Sequence, residues 1–357
     1  MANLPGLRRA DGCFRPRGEP KYPEIDDVNW ELSAVPYWPI HRRRVLRQRL
    51  FACAIAVAVF VPALTIRARL EAEPIGERVF DTVSSTISYR YFDANFRRVA
   101  WKSVIAAYRP LVVNAPTTTR RYALLRDMLD RLGDSHTAVF SPLELRTSVA
   151  NVDRTNSVTW RDLTPTVGYV KIGSFPDKLA EAIGWALERE GHHAGLVLDL
   201  RGNPGGLVDS VDATAGAFLP AGTLLSSAQS RWHFFGIRRF EADAQAGVDY
   251  HGPLVVLVDG ATSSGAETLA RALQYYHRAT IVGTHTAGKV MGVEVEMPLA
   301  DGGLLRVATL DVAGPDGRRL EGRGVAPDVL VADRAAQVRA ALAILLKRRP
   351  IGRRGEL

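Results

Sequence analysis

Three short stretches of this 357-residue chain hold side chains able to do chemistry. In VVLVDGATSSGAETLARAL, Ser263-Ser264-Gly265 stand where an apolar strand gives way to a helix. At such a turn a serine hydroxyl can be exposed while the first helical N–H groups point toward a developing oxyanion. Ser264 therefore suits a nucleophile, although a serine before a helix is more commonly an N-cap. In LVLDLRGNPGGLVDS, a second apolar strand ends in Arg201-Gly202-Asn203-Pro204-Gly205-Gly206. Closely spaced glycines let the backbone approach a substrate and present N–H groups to it. This loop lacks the Lys-Ser/Thr ending of a P-loop and the glycine spacing of a dinucleotide fingerprint. A tight turn without function is the plain alternative. In IVGTHTAGKVMGVE, Lys289 follows a glycine after a strand. A lysine serves as general base only where desolvation or positive potential lowers its pKa toward the working pH; most loop lysines are simply solvated.

The elements that must position these residues are readable from periodicity. From Thr166 onward, short apolar runs bounded by Gly, Asn and Asp alternate with helical stretches, which argues for an α/β core. VGYVKI, AGLVLDL, GPLVVLVD and RATIVGT read as buried strands, and GGLLRVATLDV as a further strand. KLAEAIGWALERE, LVDSVDATAGAFL, GAETLARALQYYH and the closing RAAQVRAALAILLKR have helical periods. Before the core, Val79, Val83, Ile87 and Tyr91, then Tyr122, Leu125, Met128, Leu129 and Leu132, recur at helical spacing. They predict a helical subdomain over 70–150, with the α/β core over 151–345 and a basic tail over 346–357.

Composition narrows the class. The formal charge is +8, but arginine clusters at the two ends supply much of the excess. No zinc spacing or ribonucleoprotein signature accompanies it, so nucleic-acid binding is not expected. The two cysteines, Cys13 and Cys53, predict no disulfide framework. Residues 1–45, rich in Pro, Arg and Gly, read as a disordered cytoplasmic tail. Leu50 to Ile66 carries no charge, follows HRRRVLRQR and precedes Arg67 and Arg69. It is at the short end of what spans a hydrocarbon core of about 30 Å. The denser positive charge before it predicts a single-pass signal anchor over 46–69, with the rest of the chain on the extracytoplasmic side of the cytoplasmic membrane. The stretch before the run is too long for the n-region of a cleaved signal peptide; Pro62 leaves a buried soluble helix as the other alternative.

LGDSHT, VGYVKIGSF, LVLDLRGNPGG, LVDGATSSGAETLARAL, RATIVGTHTAGK and LEGRGVAPDV occur in the order of the successive motifs of the carboxyl-terminal processing, or tail-specific, serine proteases. The chain resembles that family over residues from about 124 to 330. The resemblance implies a ClpP/crotonase-like α/β core and a serine endopeptidase that needs neither metal nor cofactor. It puts the nucleophile on Ser264, a lysine base on Lys289 and an oxyanion hole on Gly205, Gly206 and the N–H of Gly265. Glu267 and Thr286 match positions that support the site. The substrate would be a protein or peptide.

Three departures qualify the match. Many members carry a glutamine four positions after the lysine, where this chain has Val293 followed by Glu294. Asp134-Ser135-His136 resembles the Ser-His pair of the related tricorn protease core, whose histidine is the base, so Lys289 and His136 both stand as candidates. A histidine needs less adjustment to act near pH 7. Finally, only residues 137–166 separate His136 from Val167, too few for the PDZ domain by which tail-selecting members would capture a free carboxylate through strand addition. Tail specificity is therefore not implied. A peptidase-like protein that binds without cutting, or a crotonase-type acyl-CoA enzyme, would use the same kind of core.

Overall fold

A computed structural model of the protein describes residues 74–150, 157–232, 236–244 and 247–347. The expected tail 1–45 and anchor 46–69 lie outside them. Among the described residues no helix is long and apolar enough to cross a membrane.

Three helices come first: α1 (Ile75–Arg90), α2 (Trp101–Val113) and α3 (Thr118–Asp130). Thr117 starts α3 by accepting the Arg120 N–H on its hydroxyl at 3.1 Å, satisfying a donor that the first helical turn cannot. Val79, Val83 and Ile87 of α1 and Tyr122, Leu125 and Met128 of α3 are the buried stripe that the spacing predicted, and Phe80 joins it. After them come strand β1 (Ala138–Phe140), helix α4 (Pro142–Ala150) and strand β2 (Val158–Thr164).

The core then runs β3 (Val167–Ile172), α5 (Leu179–Glu190), β4 (Gly195–Asp199), α6 (Val208–Gly216), β5 (Leu224–Ser230), β6 (Arg238–Glu241), β7 (Leu254–Val258), α7 (Gly265–Tyr275) and β8 (Thr280–Gly283). It continues with β9 (Met291–Pro298), β10 (Leu304–Ala313), β11 (Val329–Leu330) and α8 (Arg334–Lys347). Each run read as a strand or helix in the core forms that element.

Six strands make one sheet in the order β11-β8-β7-β4-β3-β2, parallel except for the β2–β3 pair. Parallel strands need helices on both faces, which is why β4 and β7 are apolar at nearly every position instead of alternating. On one face Val170, Ile172, Leu198 and Val256 meet Ile183, Val211 and Leu269 of α5, α6 and α7. On the other, Tyr169, Val197 and Val255 meet Ala341 and Leu345 of α8.

The second sheet orders β1-β10-β5-β6, with β9 also pairing β10. The helical subdomain packs on it through Leu305, Val307 and Met291. It also contributes β1, which runs antiparallel to β10. That pairing fixes the segment before β1, because the Ala308 N–H donates to Thr137 Oγ1 at 3.2 Å. Asp134-Ser135-His136 is thereby held by the second sheet.

Candidate active site

In a parallel sheet the carboxyl ends of the strands share one edge, so the loops after β3, β4, β7 and β8 are brought together. Hydrogen bonds knit them. Asn203, fully buried, donates through Nδ2 to the Ile172 carbonyl at 3.0 Å and accepts the Ser263 N–H on its own carbonyl at 2.9 Å. Thr262 Oγ1 donates to the Leu200 carbonyl at 2.9 Å, and Ala287 N–H donates to the Thr262 carbonyl at 2.9 Å. Phe175 N–H reaches the Gly205 carbonyl at 3.0 Å.

Ser264 sits at the head of α7 with φ 55° and ψ −126°. This conformation is costly for any residue with a Cβ, typically about 1–3 kcal/mol. It is held because Ser264 N–H donates to the Lys289 carbonyl at 2.8 Å and to Glu267 Oε2 at 3.1 Å, while the carbonyl accepts Glu267 N–H at 2.8 Å. The residue is half-buried and lines a cleft of ≈ 320 Å³.

Two backbone amides lie beside this position. Among the described residues, neither Gly206 N–H nor Gly265 N–H donates to a protein acceptor. They are close neighbours, since a Cβ built on Gly265 would lie 3.9 Å from Gly206 N. Gly205 differs from expectation: its N–H is donated to Asn203 Oδ1 at 2.8 Å and is not offered to a substrate. Its contribution is space, because a Cβ there would fall 2.6 Å from that of Ser264. At φ 94° it also adopts a backbone that favours glycine.

Glu267 binds the loops to one another. It is fully buried, and its carboxylate accepts four bonds: from Thr286 Oγ1, from Gly288 N–H at 2.8 Å, from Lys289 N–H at 2.9 Å and from Ser264 N–H. Burial pushes its pKa up, and these four donors oppose the rise. Thr286 also accepts Val325 N–H at 2.7 Å, extending the brace to the GRGVAPD segment.

His136 is half-buried, and Ser135 Oγ stands 2.6 Å from its Nδ1. The Ser135 hydroxyl donates its one proton to Glu321 Oε2 at 2.9 Å. Nδ1 must then carry the ring proton and donate to that oxygen, leaving Nε2 with a free lone pair, the tautomer a general base requires. Burial lowers the His136 pKa, against the pull of Glu321 and Asp134, which favours the neutral ring. Glu321 Oε2 also accepts Val290 N–H at 2.8 Å, which joins this group to the residue after Lys289. The Lys289 side chain is exposed, whereas a lysine base requires desolvation. Glu294, next to the position where a glutamine was expected, pairs with Arg238. Among the described residues no hydrogen bond joins Ser264 Oγ to His136 or Lys289.

One trio of metal-ligating side chains lies elsewhere among the described residues: Asp162, Glu190 and His193, mutually within 4.8 Å. His193 spends both ring nitrogens inside it, Nε2 standing 3.1 Å from Asp162 Oδ1 and Nδ1 2.9 Å from the Glu190 carbonyl. It contributes nothing to the cleft.

Comparison with known proteins accounts for the loops. Residues 166–331, which hold Ser264, both free amides, Glu267 and Glu321, match the signature of peptidase family S41, and residues 77–130 match the tricorn protease C1 domain. Residues 166–331 thus form a peptidase family S41 domain. It is 32% identical over 199 residues to a carboxy-terminal-processing protease of Bartonella bacilliformis, covering 54% of this chain and 44% of that one. To a carboxyl-terminal-processing protease of Synechocystis it is 34% identical over 169 residues, 46% of this chain and 38% of the other. The chain thus spans less than half the length of these curated relatives. Among solved structures it is similar to a photosystem II D1 C-terminal processing protease, with TM-score 0.58, 20% identity, and 76% and 97% of the two chains covered. It is also similar to the tricorn protease, with TM-score 0.55, 14% identity, and 76% and 37% covered. These two likenesses show a shared mixed α/β fold.

Within the stretch that matches S41, Glu321 is the residue that sequence reasoning passed over. It lies inside LEGRGVAPDV, a motif already in view, but an isolated glutamate there carries no mark of its contact with Ser135, 186 positions away.

Proposed function

We propose that this chain is a serine-type endopeptidase acting on proteins or peptides, with Ser264 as nucleophile and His136 as general base. The observation that carries the reading is Ser264 at φ 55°, at the wall of a cleft and beside the unspent amides of Gly206 and Gly265. His136 Nε2 takes the Ser264 hydroxyl proton as Oγ attacks the scissile carbonyl, and the resulting oxyanion accepts the Gly206 and Gly265 N–H groups. The imidazolium returns its proton to the departing amine. Water, deprotonated by the same ring, then frees the acyl group. Ser135 and Glu321 are positioning residues that hold the ring and its tautomer.

A second reading gives the proton to Lys289, supported by the bond between Ser264 N–H and the Lys289 carbonyl, which sets the two residues side by side. His136→Ala is expected to lower kcat/KM by about 10²–10⁴, and Lys289→Ala by less than about tenfold. The opposite ranking in a peptide-cleavage assay would move the role to Lys289. A fluorophosphonate that leaves the folded chain unlabelled would favour a binding protein on this scaffold, and saturable acyl-CoA binding at the cleft would favour crotonase-type chemistry.

The extracytoplasmic placement rests on the Leu50–Ile66 run and its arginine flanks. A reporter active only outside the cytoplasm, fused after Leu357, should be active; activity only from a cytoplasmic reporter would refute the placement.

A further inference from the structure

The cleft beside Ser264 has walls of unequal character. Val211, Leu225, Leu310 and Val312 are buried apolar residues lining it. Asp212 stands among them, half-buried on α6, one position after Val211. Val211 abuts the head of α7, where a Cβ on Gly265 would come 2.6 Å from its Cγ2. This face of α6 therefore borders the oxyanion position itself.

Among the described residues the Asp212 carboxylate has no hydrogen bond and no ion pair. The groups acting on it are also acidic. Asp209 precedes it by a helical turn, and Asp243 and Glu241 approach from β6 and the residues after it. The cleft's one cation among its described lining residues, Arg238, is taken by Glu294, and Glu241 pairs with Arg239 at 2.9 Å. Burial first, then Asp209, Asp243 and Glu241, push the Asp212 pKa up to about 7.

A partly desolvated carboxylate without a counter-charge must either protonate or receive a cation from outside. The amides of Gly206 and Gly265 border the same cleft, so a substrate whose scissile carbonyl sits between them directs that residue's side chain into it. At ≈ 320 Å³ the cleft has the size of the smallest ligand pockets, suited to one long side chain. We infer that this cleft receives a lysine or arginine side chain of the residue on the acyl side of the scissile bond, with Asp212 as its counter-charge and the apolar walls on its methylenes. This rests on the peptidase reading above. A long cationic side chain matches both features, the stem against apolar surface and the head at the acid.

The test uses peptidyl phosphonates that react with Ser264 without turnover, alike except for lysine or norleucine at the residue bearing the phosphonate. In the full chain at about pH 8 the lysine probe should react about tenfold or more faster than the norleucine probe. The ratio should shrink as pH falls through 7 to about 5.5, where Asp212 protonates. In Asp212→Asn, checked for an unaltered far-UV spectrum, and independently in Asp212→Ser, the ratio at pH 8 should fall toward one. Equal rates for the two probes in the wild type, a ratio that both variants leave unchanged, or no reaction with either probe while a small fluorophosphonate labels Ser264, would each overturn the subsite. If even the small fluorophosphonate fails to label a folded chain, the nucleophile is wrong and the subsite falls with it.

Discussion

Ser264→Ala should lower peptide cleavage by roughly 10⁴–10⁶ and abolish fluorophosphonate labelling, while the far-UV spectrum stays that of the wild type. The size of the loss follows from what the hydroxyl is asked to do. Without it no acyl-enzyme forms, and only binding and the two free amides remain to assist water. Stability offers a second readout that a merely structural serine would not produce. At φ 55° and ψ −126° the backbone occupies a region that glycine enters freely, so Ser264→Gly should be as inactive as Ser264→Ala but more stable, by about 1 kcal/mol. The wild type thus holds a strained serine where glycine would fold better. If Ser264→Gly were no more stable than Ser264→Ala, the strain argument would fail; if either variant kept normal turnover, the nucleophile would have to be sought elsewhere.

How far the sequence leads differs by layer. The parallel strands were legible because burial on both faces leaves a run such as LVVLV with no polar position to confuse the pattern. The second sheet was only partly legible. Leu304–Ala313 could be read, but β9 alternates charged and apolar residues with half its positions exposed, β5 is rich in serine and glutamine, and β6 is short and charged, so none of them announces itself. Serine has no preference for positive φ, and only the fold forces it on Ser264. Gly205 and Gly206 are equivalent letters in a string, yet one amide faces Asn203 and the other stays free, a distinction set by backbone angles of 94° and 152°. The Ser135–Glu321 contact joins residues brought together by β10 and the loop after it. No local period could mark it.

Glu267→Ala should be the most damaging change outside the reacting groups, because the carboxylate is what makes the separate loops one site. Its removal leaves the buried Gly288 N–H and the partly buried Lys289 N–H without acceptors, and the Thr286 hydroxyl proton without the carboxylate that takes it. At about 1–3 kcal/mol for each orphaned donor, the loss is about 4 kcal/mol, a large part of the 5–15 kcal/mol typical of a domain. The thermal midpoint should fall by roughly 10 °C. Glu267→Gln should fall between. Its amide can turn the N–H₂ toward Thr286, whose hydroxyl is able to rotate, and keep its oxygen for Ser264 and Lys289, leaving only Gly288 N–H opposed. Activity should follow the same order, wild type, then Gln, then Ala, since Ser264 and the loop carrying Lys289 are both moored to this side chain. Thermal melts and cleavage rates on the three proteins decide it: an alanine variant that melts with the wild type and cuts as fast would mean that the loops hold their places without Glu267.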